Sequence, residues 1–214
     1  MNQEFPDYIV VEGPIGVGKT TLAKRLADTF STELLLETAY DNPFLPGFYE
    51  NPKASALPTQ LYFLFQRAKQ LEYYRQKDLF NQVQISDFLI EKDRLFAQVT
   101  LGNDEFNLYQ QVYERLALEA PVPDLVIYLQ APVDILLKRI IKRGVEYEKF
   151  IDEGYLKKIT NAYVDFFYNY SAAPLLIVNT DDFDLVKGTN NYNILLDYIR
   201  SLPPGRHYFN PKEI

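Results

Sequence analysis

One segment constrains this chain more than any other. It is the run Gly13-Pro14-Ile15-Gly16-Val17-Gly18-Lys19-Thr20, which matches the pattern G-x-x-x-x-G-K-[ST]. It follows an apolar run at residues 8–11 and opens an amphipathic pattern that reaches Phe30, so it lies between a predicted strand and a predicted helix. In that setting the glycines let backbone N–H groups and the helix N-terminus surround a phosphate. The motif therefore predicts a site for a nucleoside triphosphate.

Two residues at the end of this loop carry its chemistry. Lys19 offers a mobile positive charge to the β- and γ-phosphates, and the Thr20 hydroxyl is suited to Mg²⁺. We therefore expect a nucleoside triphosphate and Mg²⁺ as cofactors. The residues expected to contact the nucleotide are Gly13, Pro14, Ile15, Gly16, Val17, Gly18, Lys19, Thr20 and Thr21.

Short apolar runs alternate with helix-length amphipathic stretches along the chain. Five runs have the length and composition of strands, at residues 8–11, 34–36, 83–86, 125–129 and 175–178. Continuous Val, Ile and Leu suit strands that are covered on both faces, as in a parallel sheet. The pattern predicts a P-loop three-layer α/β/α fold with a five-stranded parallel sheet. Residues 1–201 are expected to form a single domain, and residues 202–214 a loose C-terminal tail.

Composition excludes several kinds of site. The 214 residues include no Cys and one His, so cysteine nucleophiles, cysteine metal sites and His-based zinc sites are excluded or very unfavourable. The formal net charge of −7 argues against a nucleic-acid partner. The apolar runs are too short to span a bilayer, and the acidic N-terminus does not resemble a signal peptide. We therefore expect a cytoplasmic protein without a membrane partner.

Acidic residues follow three of the predicted strands. Glu12 precedes the phosphate loop and is expected to support its turn, while Glu37 and Asp87 follow the second and third strands. Ligands of open α/β sheets bind beyond these strand ends. An acid there could hold Mg²⁺ through water or accept a proton from an attacking hydroxyl, and the residues alone leave both roles open.

An ordered set of residues resembles the deoxynucleoside kinase family, which includes deoxycytidine, deoxyguanosine and bacterial deoxyadenosine kinases. The resemblance covers residues from about 8 to about 178. It rests on the phosphate loop, Glu37, the run Tyr49-Glu50-Asn51-Pro52, Gln60, Arg67, Asp93 and the segment from Arg139 to Glu148.

The resemblance implies roles for these positions. Glu37 would take the proton from the 5′-hydroxyl of a deoxynucleoside, and Tyr49 and Glu148 would hold the sugar 3′-hydroxyl. The positions that would bind the base are Gln60, Arg67 and Asp93. Arg139 and Arg143 would lie on a lid, at about residues 139–153, that closes over the ATP phosphates. Asp87 would be the motif acid near Mg²⁺, and the family suggests a homodimer.

This chain departs from the family pattern at three places. The arginine and serine that follow the motif acid are replaced by Phe88 and Leu89, and a lid arginine is replaced by Val145. Arg94 and Lys149 are candidates for the missing positive charge.

The residue types themselves limit the base. Gln60 and Arg67 are seven residues apart on a predicted helix and so share one face. Arginine donates to acceptors such as purine N7 or guanine O6, and an ionised Asp93 would accept from an exocyclic amine or N–H. Thymine fits these groups poorly. Adenine, guanine and cytosine stay open, and we favour purines.

Arg139 and Arg143 belong to the one dense basic run of an acidic chain. They are four residues apart on a predicted helix, which suits either a phosphate clamp or cations that favour a helix C-terminus. Pro132 and Asp134 mark the predicted start of this helix, and Gly144 follows its last turn as a candidate hinge.

Two alternative functions are a nucleoside monophosphate kinase of the thymidylate kinase type, and a non-catalytic relative that acts as an interaction subunit. Glu37 argues against the first, since it would repel an anionic acceptor, and the intact Lys19, Thr20 and Glu37 argue against the second.

Overall fold

The computed structural model describes residues 5–77, 83–117, 120–181 and 189–210. Strands and helices alternate along these residues. The strands are β1 Tyr8–Glu12, β2 Leu34–Leu35, β3 Gln84–Ser86, β4 Leu125–Gln130, β5 Leu175–Asn179 and β6 Arg206–Phe209. The α-helices are α1 Lys19–Phe30, α2 Leu45–Glu50, α3 Pro52–Lys77, α4 Glu91–Thr100, α5 Asn103–Leu116, α6 Val133–Arg143, α7 Glu153–Asn169 and α8 Thr189–Arg200, and 3₁₀ turns occupy Ala39–Asp41 and Glu146–Phe150.

The strands form one sheet in the order β2-β3-β1-β4-β5-β6, and each neighbouring pair is parallel. In the sheet, β1 lies between β3 and β4. The strand order therefore reverses at β1, and the crevice beyond the carboxyl ends of such strands is where open α/β sheets bind ligands.

Both faces of the sheet are buried, which makes the three layers. On one face, Ile9 and Val11 pack with Leu22 of α1 and Leu136 of α6. On the other face, Val10 belongs to a second cluster that includes residues of α4 and α7. Alternate residues of β1 thus enter different clusters, as the two-residue period of a strand requires. The predicted α/β/α fold is confirmed.

The predicted strand count of five was one short. The sixth strand, β6, comes from the segment 202–214 that was predicted to be a loose tail, and it pairs in parallel with β5 from Leu175↔Arg206 to Val178↔Phe209. Phe209 is buried, and the Arg206 guanidinium donates to three backbone carbonyls at the C-terminal end of α7. The sequence Arg-His-Tyr-Phe contains no apolar run that would indicate a strand, because most of this edge strand is exposed to solvent.

Both predicted ends of α6 are confirmed. Pro132 precedes the first residue of α6, and Gly144 follows the last one with a φ of 70°. That positive φ is a left-handed conformation that glycine adopts without the steric cost a side chain would add. Among the helices of the described ranges, none is both long and apolar enough to cross a membrane.

Candidate active site

A cavity of about 250 Å³ opens at the carboxyl ends of β1, β2 and β3. The phosphate loop and α1 form one wall, and α2, α3, α4 and the turn Glu146–Phe150 form the others. The predicted site residues that line it are Ile15, Gly16, Lys19, Thr20, Glu37, Tyr49, Gln60, Arg67, Asp87, Arg143 and Glu148. Asp93 and Arg139 are not among the lining residues. The predicted site residues make up half of the cavity lining, and they come from segments up to 133 residues apart.

The phosphate loop is shaped by glycines that nothing else could replace. Gly13 and Gly16 have φ values of 151° and 84°. A Cβ on Gly13 would lie 2.5 Å from Leu129 O, and one on Gly16 would lie 2.9 Å from Leu136 O. The loop thus approaches other backbone too closely for any side chain. Gly18 precedes α1 without a side-chain cap, which leaves the first N–H groups of the helix available to an anion.

Glu12 fixes this loop from below, as the sequence predicted. Its carboxylate is fully buried and accepts from Gly13 N at 2.7 Å, Leu89 N at 2.9 Å and the Tyr163 hydroxyl at 2.9 Å. These bonds tie the start of the loop to the segment after β3 and to α7. Tyr163 was not among the predicted site residues.

Thr20 and Asp87 face each other across the cavity floor. The Thr20 hydroxyl donates to Asp87 Oδ2 over 2.6 Å, and Asp87 Oδ1 accepts from Glu37 N over 2.7 Å. Burial raises the pKa of Asp87, against the opposing effect of these two bonds. A hydroxyl and a carboxylate side by side are oxygen ligands that Mg²⁺ takes together with phosphates and waters. In the described ranges no group of three His, Cys, Asp or Glu residues is arranged as a metal site.

Glu37 is held by two buried cations. Its Oε1 pairs with Nη2 of Arg67, and its Oε2 accepts from Nζ of Lys92 over 2.6 Å. Burial acts to raise the pKa of Glu37, but the charges of Arg67, Lys92 and Lys19 outweigh it and lower that pKa to about 2. Glu37 is therefore ionised at neutral pH and can accept a proton.

Lys92 was missed by the sequence reasoning. It is 3% exposed, and it lies in the first turn of α4, five residues after Asp87. The two candidates named for the missing charge do not reach the cavity: Arg94 is exposed, and Lys149 pairs with Glu146 on the surface. The position of Lys92 in the sequence could have indicated it. On a helix that starts near residue 91, Lys92 lies in the first turn, close to the carboxyl ends of the strands.

Arg67 connects Glu37 with a third charged residue, Asp93. Nη1 of Arg67 pairs with Oδ1 of Asp93, which is fully buried and lies outside the cavity lining. Among the described residues, Asp93 Oδ2 and Arg67 Nε have no hydrogen-bond partner. The structure thus places Gln60 and Arg67 at the wall and Asp93 behind Arg67, where Asp93 orients that guanidinium.

Tyr49 of α2 and Glu148 of the turn Glu146–Phe150 both line the cavity. Arg143 donates to both carboxylate oxygens of Glu148, at 3.0 and 2.6 Å. The Tyr49 ring stacks on Tyr147, with 6.1 Å between centroids. Burial raises the pKa of the Tyr49 hydroxyl well above its ordinary value, so the hydroxyl remains a donor. Two polar groups of opposite hydrogen-bonding character therefore face the cavity here.

Arg139 lies apart from this wall. Its guanidinium donates to Thr180 Oγ1 at 3.0 Å, to Thr180 O at 2.6 Å and to Val17 O at 3.4 Å. It thereby connects α6 with the end of β5 and with the phosphate loop. The structure brings Arg143, and not Arg139, to the cavity.

Comparison with known proteins agrees with this geometry. The family model described as deoxynucleoside kinase matches residues 9–202. Deoxyguanosine kinase of Bacillus subtilis (strain 168) is 34% identical over 203 residues, which are 91% of this chain and 97% of that protein. Deoxyadenosine kinase of Lactobacillus acidophilus is 31% identical over 85% of this chain and 89% of that protein.

Solved structures show the same fold. The structure of deoxyadenosine kinase from M. mycoides with bound dATP has a TM-score of 0.79 and 26% identity, and it covers 91% of this chain and 100% of that chain. The same enzyme with bound dCTP has a TM-score of 0.77 and 25% identity, with the same coverage. The chain therefore belongs to the deoxynucleoside kinase family: it is a kinase that phosphorylates nucleosides, with ATP as the phosphate donor by family.

Proposed function

We propose that this enzyme transfers the γ-phosphate of ATP to the 5′-hydroxyl of a purine deoxynucleoside and gives ADP and the 5′-monophosphate. The observation that carries the proposal is the position of Glu37. Its carboxylate lies on the cavity wall between Arg67 and Lys92, and its backbone N–H donates to Asp87, the acid that faces Thr20. A base in that place can take the proton of a hydroxyl that attacks a phosphate held by the loop.

The phosphate loop and its neighbours would hold ATP. The segment from Gly13 to Thr21 and the N-terminus of α1 supply N–H groups, and Lys19 supplies a charge. Thr20 and Asp87 would hold Mg²⁺, which would supply positive charge to offset the negative charge that develops on the phosphate oxygens. Arg143 lines the same cavity and would be the lid arginine that approaches the phosphates, while Arg139 would support the loop through Val17 O.

The acceptor would lie between α3 and the turn Glu146–Phe150. Glu148 can accept from a sugar hydroxyl and Tyr49 can donate to it. On the other side, Gln60 both donates and accepts, and Arg67 donates to a base acceptor such as purine N7. Asp93 contributes by orienting Arg67 rather than by contact with the base. The deoxyguanosine and deoxyadenosine kinases among the relatives support a purine.

A monophosphate kinase is disfavoured by the same geometry. Its acceptor carries a phosphate, which the ionised Glu37 on the wall would repel, because the pKa of Glu37 is lowered to about 2. A cytoplasmic location remains a prediction from the sequence composition, and a homodimer remains a prediction from the resemblance. Light scattering of the purified enzyme would measure the oligomeric state.

The test is transfer of label from [γ-³²P]ATP to the four deoxynucleosides and, in parallel, to their monophosphates. We expect labelled monophosphate from deoxyguanosine or deoxyadenosine, and weaker product from deoxycytidine. Label that appears only in diphosphates would show a monophosphate kinase and contradict the role of Glu37. Omission of Mg²⁺, with the metal removed by chelation, should abolish transfer.

A further inference from the structure

A buried lysine contacts the proposed base. Lys92 is 3% exposed, and its ammonium donates to Glu37 Oε2 over 2.6 Å. Lysine is rarely buried unless a partner offsets the desolvation of its charge. Here the principal partner is the carboxylate that would activate the acceptor hydroxyl, and Lys92 itself lines the cavity.

We propose that Lys92 is the positioning residue that holds Glu37 for proton transfer, in place of the arginine that the family pattern has at position 88. The inference rests on the proposed function, because it takes Glu37 as the base. Lys92 acts through Glu37 and is not proposed to touch the reacting atoms.

Position 88 cannot supply the cation in this chain. Phe88 is fully buried in an apolar cluster with residues of α3, α4 and α5, among them Leu64, Ala97 and Tyr109. Its backbone is held by Ser86 Oγ, which accepts from Phe88 N and donates to Phe88 O. The side chain therefore packs into the core rather than facing the cavity, and a cation must come from another element.

Lys92 supplies that cation from α4. Arg67 and Lys92 bind different oxygens of Glu37, so the carboxylate is held from two sides. Each oxygen has a second lone pair, which leaves room for a hydroxyl donor. Removal of Lys92 would free Glu37 to rotate about its contact with Arg67, and the base would lose its alignment with the hydroxyl.

The same ammonium also links the base to the acid beneath the phosphate loop. Lys92 Nζ lies 3.9 Å from Glu12 Oε2, and the other oxygen of Glu12 accepts from Gly13 N. Glu12 has three hydrogen bonds of its own that do not involve this longer contact, so what depends on the charge of Lys92 is mainly the position of Glu37. We expect the loss of that charge to lower kcat by about 100-fold, because misplacement by about 1 Å has that effect in enzymes. The KM for either substrate should change by less than about threefold.

The chain offers a clean chemical test because it contains no cysteine. A Lys92→Cys variant carries a single thiol, and 2-bromoethylamine converts that thiol to S-aminoethylcysteine, which restores an ammonium at nearly the length of lysine. Iodoacetamide adds a neutral group of similar size to the same sulfur. We expect the unmodified variant to lose kcat, the aminoethylated protein to recover most of it, and the carbamidomethylated protein to stay inactive.

Two controls separate positioning from folding. Lys138→Cys, with the same two reagents, should keep full activity, because the Lys138 side chain is 72% exposed on α6 and pairs only with the exposed Asp134 among the ion pairs of the described residues. If Lys92→Cys does not fold, Lys92→Gln and Lys92→Arg replace it. Lys92→Gln should be slow, and Lys92→Arg should be within about tenfold of the parent enzyme because it keeps the charge.

Equal kcat in Lys92→Cys and the parent enzyme, or equal recovery with both reagents, would overturn the inference. Failure of the proposed function has a different result: the parent enzyme would transfer no phosphate to any deoxynucleoside. In that case crystal structures of the parent and of Lys92→Gln still decide, since a Glu37 carboxylate that keeps its position without Lys92 would show that Lys92 does not hold it.

Discussion

Asp93 pairs with Arg67 behind the cavity wall and does not itself face the cavity. The resemblance placed both residues on the base. In the structure Arg67 reaches the cavity between Glu37 and Asp93 while Asp93 is fully buried, so we propose different tasks for the two residues. A guanidinium held at both ends presents its donors in one orientation, which is what discrimination between bases requires.

Asp93→Asn tests this arrangement. The substitution keeps the shape of the side chain but removes the charge that holds Arg67, so the affinity for the deoxynucleoside should fall while the ATP site is unaffected. We expect the KM for the deoxynucleoside to rise by about 10- to 100-fold, the value of a buried charged hydrogen bond. Steady-state kinetics with each substrate varied would measure it. Asp165→Asn, an exposed substitution on α7, should change neither KM. A rise in the KM of ATP alone would contradict the account.

Gly16→Ala, in the phosphate loop, should lower the free energy of unfolding more than Gly144→Ala, in the predicted lid. Both residues have positive φ, but a Cβ on Gly16 would meet Leu136 O at 2.9 Å, whereas one on Gly144 would meet nothing within 4 Å. Gly144→Ala should cost about 1 kcal/mol of unfolding free energy, from backbone strain alone. Gly16→Ala should cost more and also weaken ATP binding, since the loop must shift. Denaturant unfolding and calorimetry would compare the two variants. Equal losses would mean that the crowding has no effect.

Arg143→Met should mainly lower catalytic efficiency, whereas Arg139→Met should mainly lower thermal stability. Arg143 lines the cavity and pairs with Glu148, so its loss should lower kcat/KM while the unfolding free energy changes by less than about 0.5 kcal/mol. Arg139 donates to Val17 O and to Thr180, so its loss should lower the melting temperature first. Activity assays and thermal unfolding of both variants would show the division. If both variants lost the same activity and neither lost stability, the result would contradict this division and assign Arg139 to the phosphates.

Phe209→Ala tests whether the last strand belongs to the fold. Phe209 is 8% exposed and packs against Tyr198, with 5.4 Å between ring centroids. We expect a loss of about 3 kcal/mol in unfolding free energy, as for other buried phenylalanines. Tyr208→Ala is the matched control, because Tyr208 is 61% exposed and its loss should change the free energy by less than about 0.5 kcal/mol. Small effects at both positions would restore the prediction of a loose tail.

The features that the sequence predicted well are local ones. The phosphate loop, the ends of α6 and the acids after β1, β2 and β3 follow from short spacings and from strand direction. Lys92 was missed because its contact with Glu37 joins α4 to the end of β2, 55 residues apart, and no spacing encodes that pairing. Arg139 and Arg143 share a helix face by spacing, but only the second lies at the helix end that reaches the cavity. The strand β6 was missed because an exposed edge strand needs few apolar residues.

The most direct test of the account is the turnover of Glu37→Gln with ATP and the preferred purine deoxynucleoside. Glutamine keeps the size of the side chain but cannot accept the proton of the hydroxyl, so we predict a fall in kcat of about 10²- to 10⁴-fold, the contribution of a general base. ATP should still bind with an affinity within about threefold of the parent value, measured by calorimetry, because the loop is intact. A Glu37→Gln enzyme that turns over at the parent rate would contradict the assignment of Glu37 as the base.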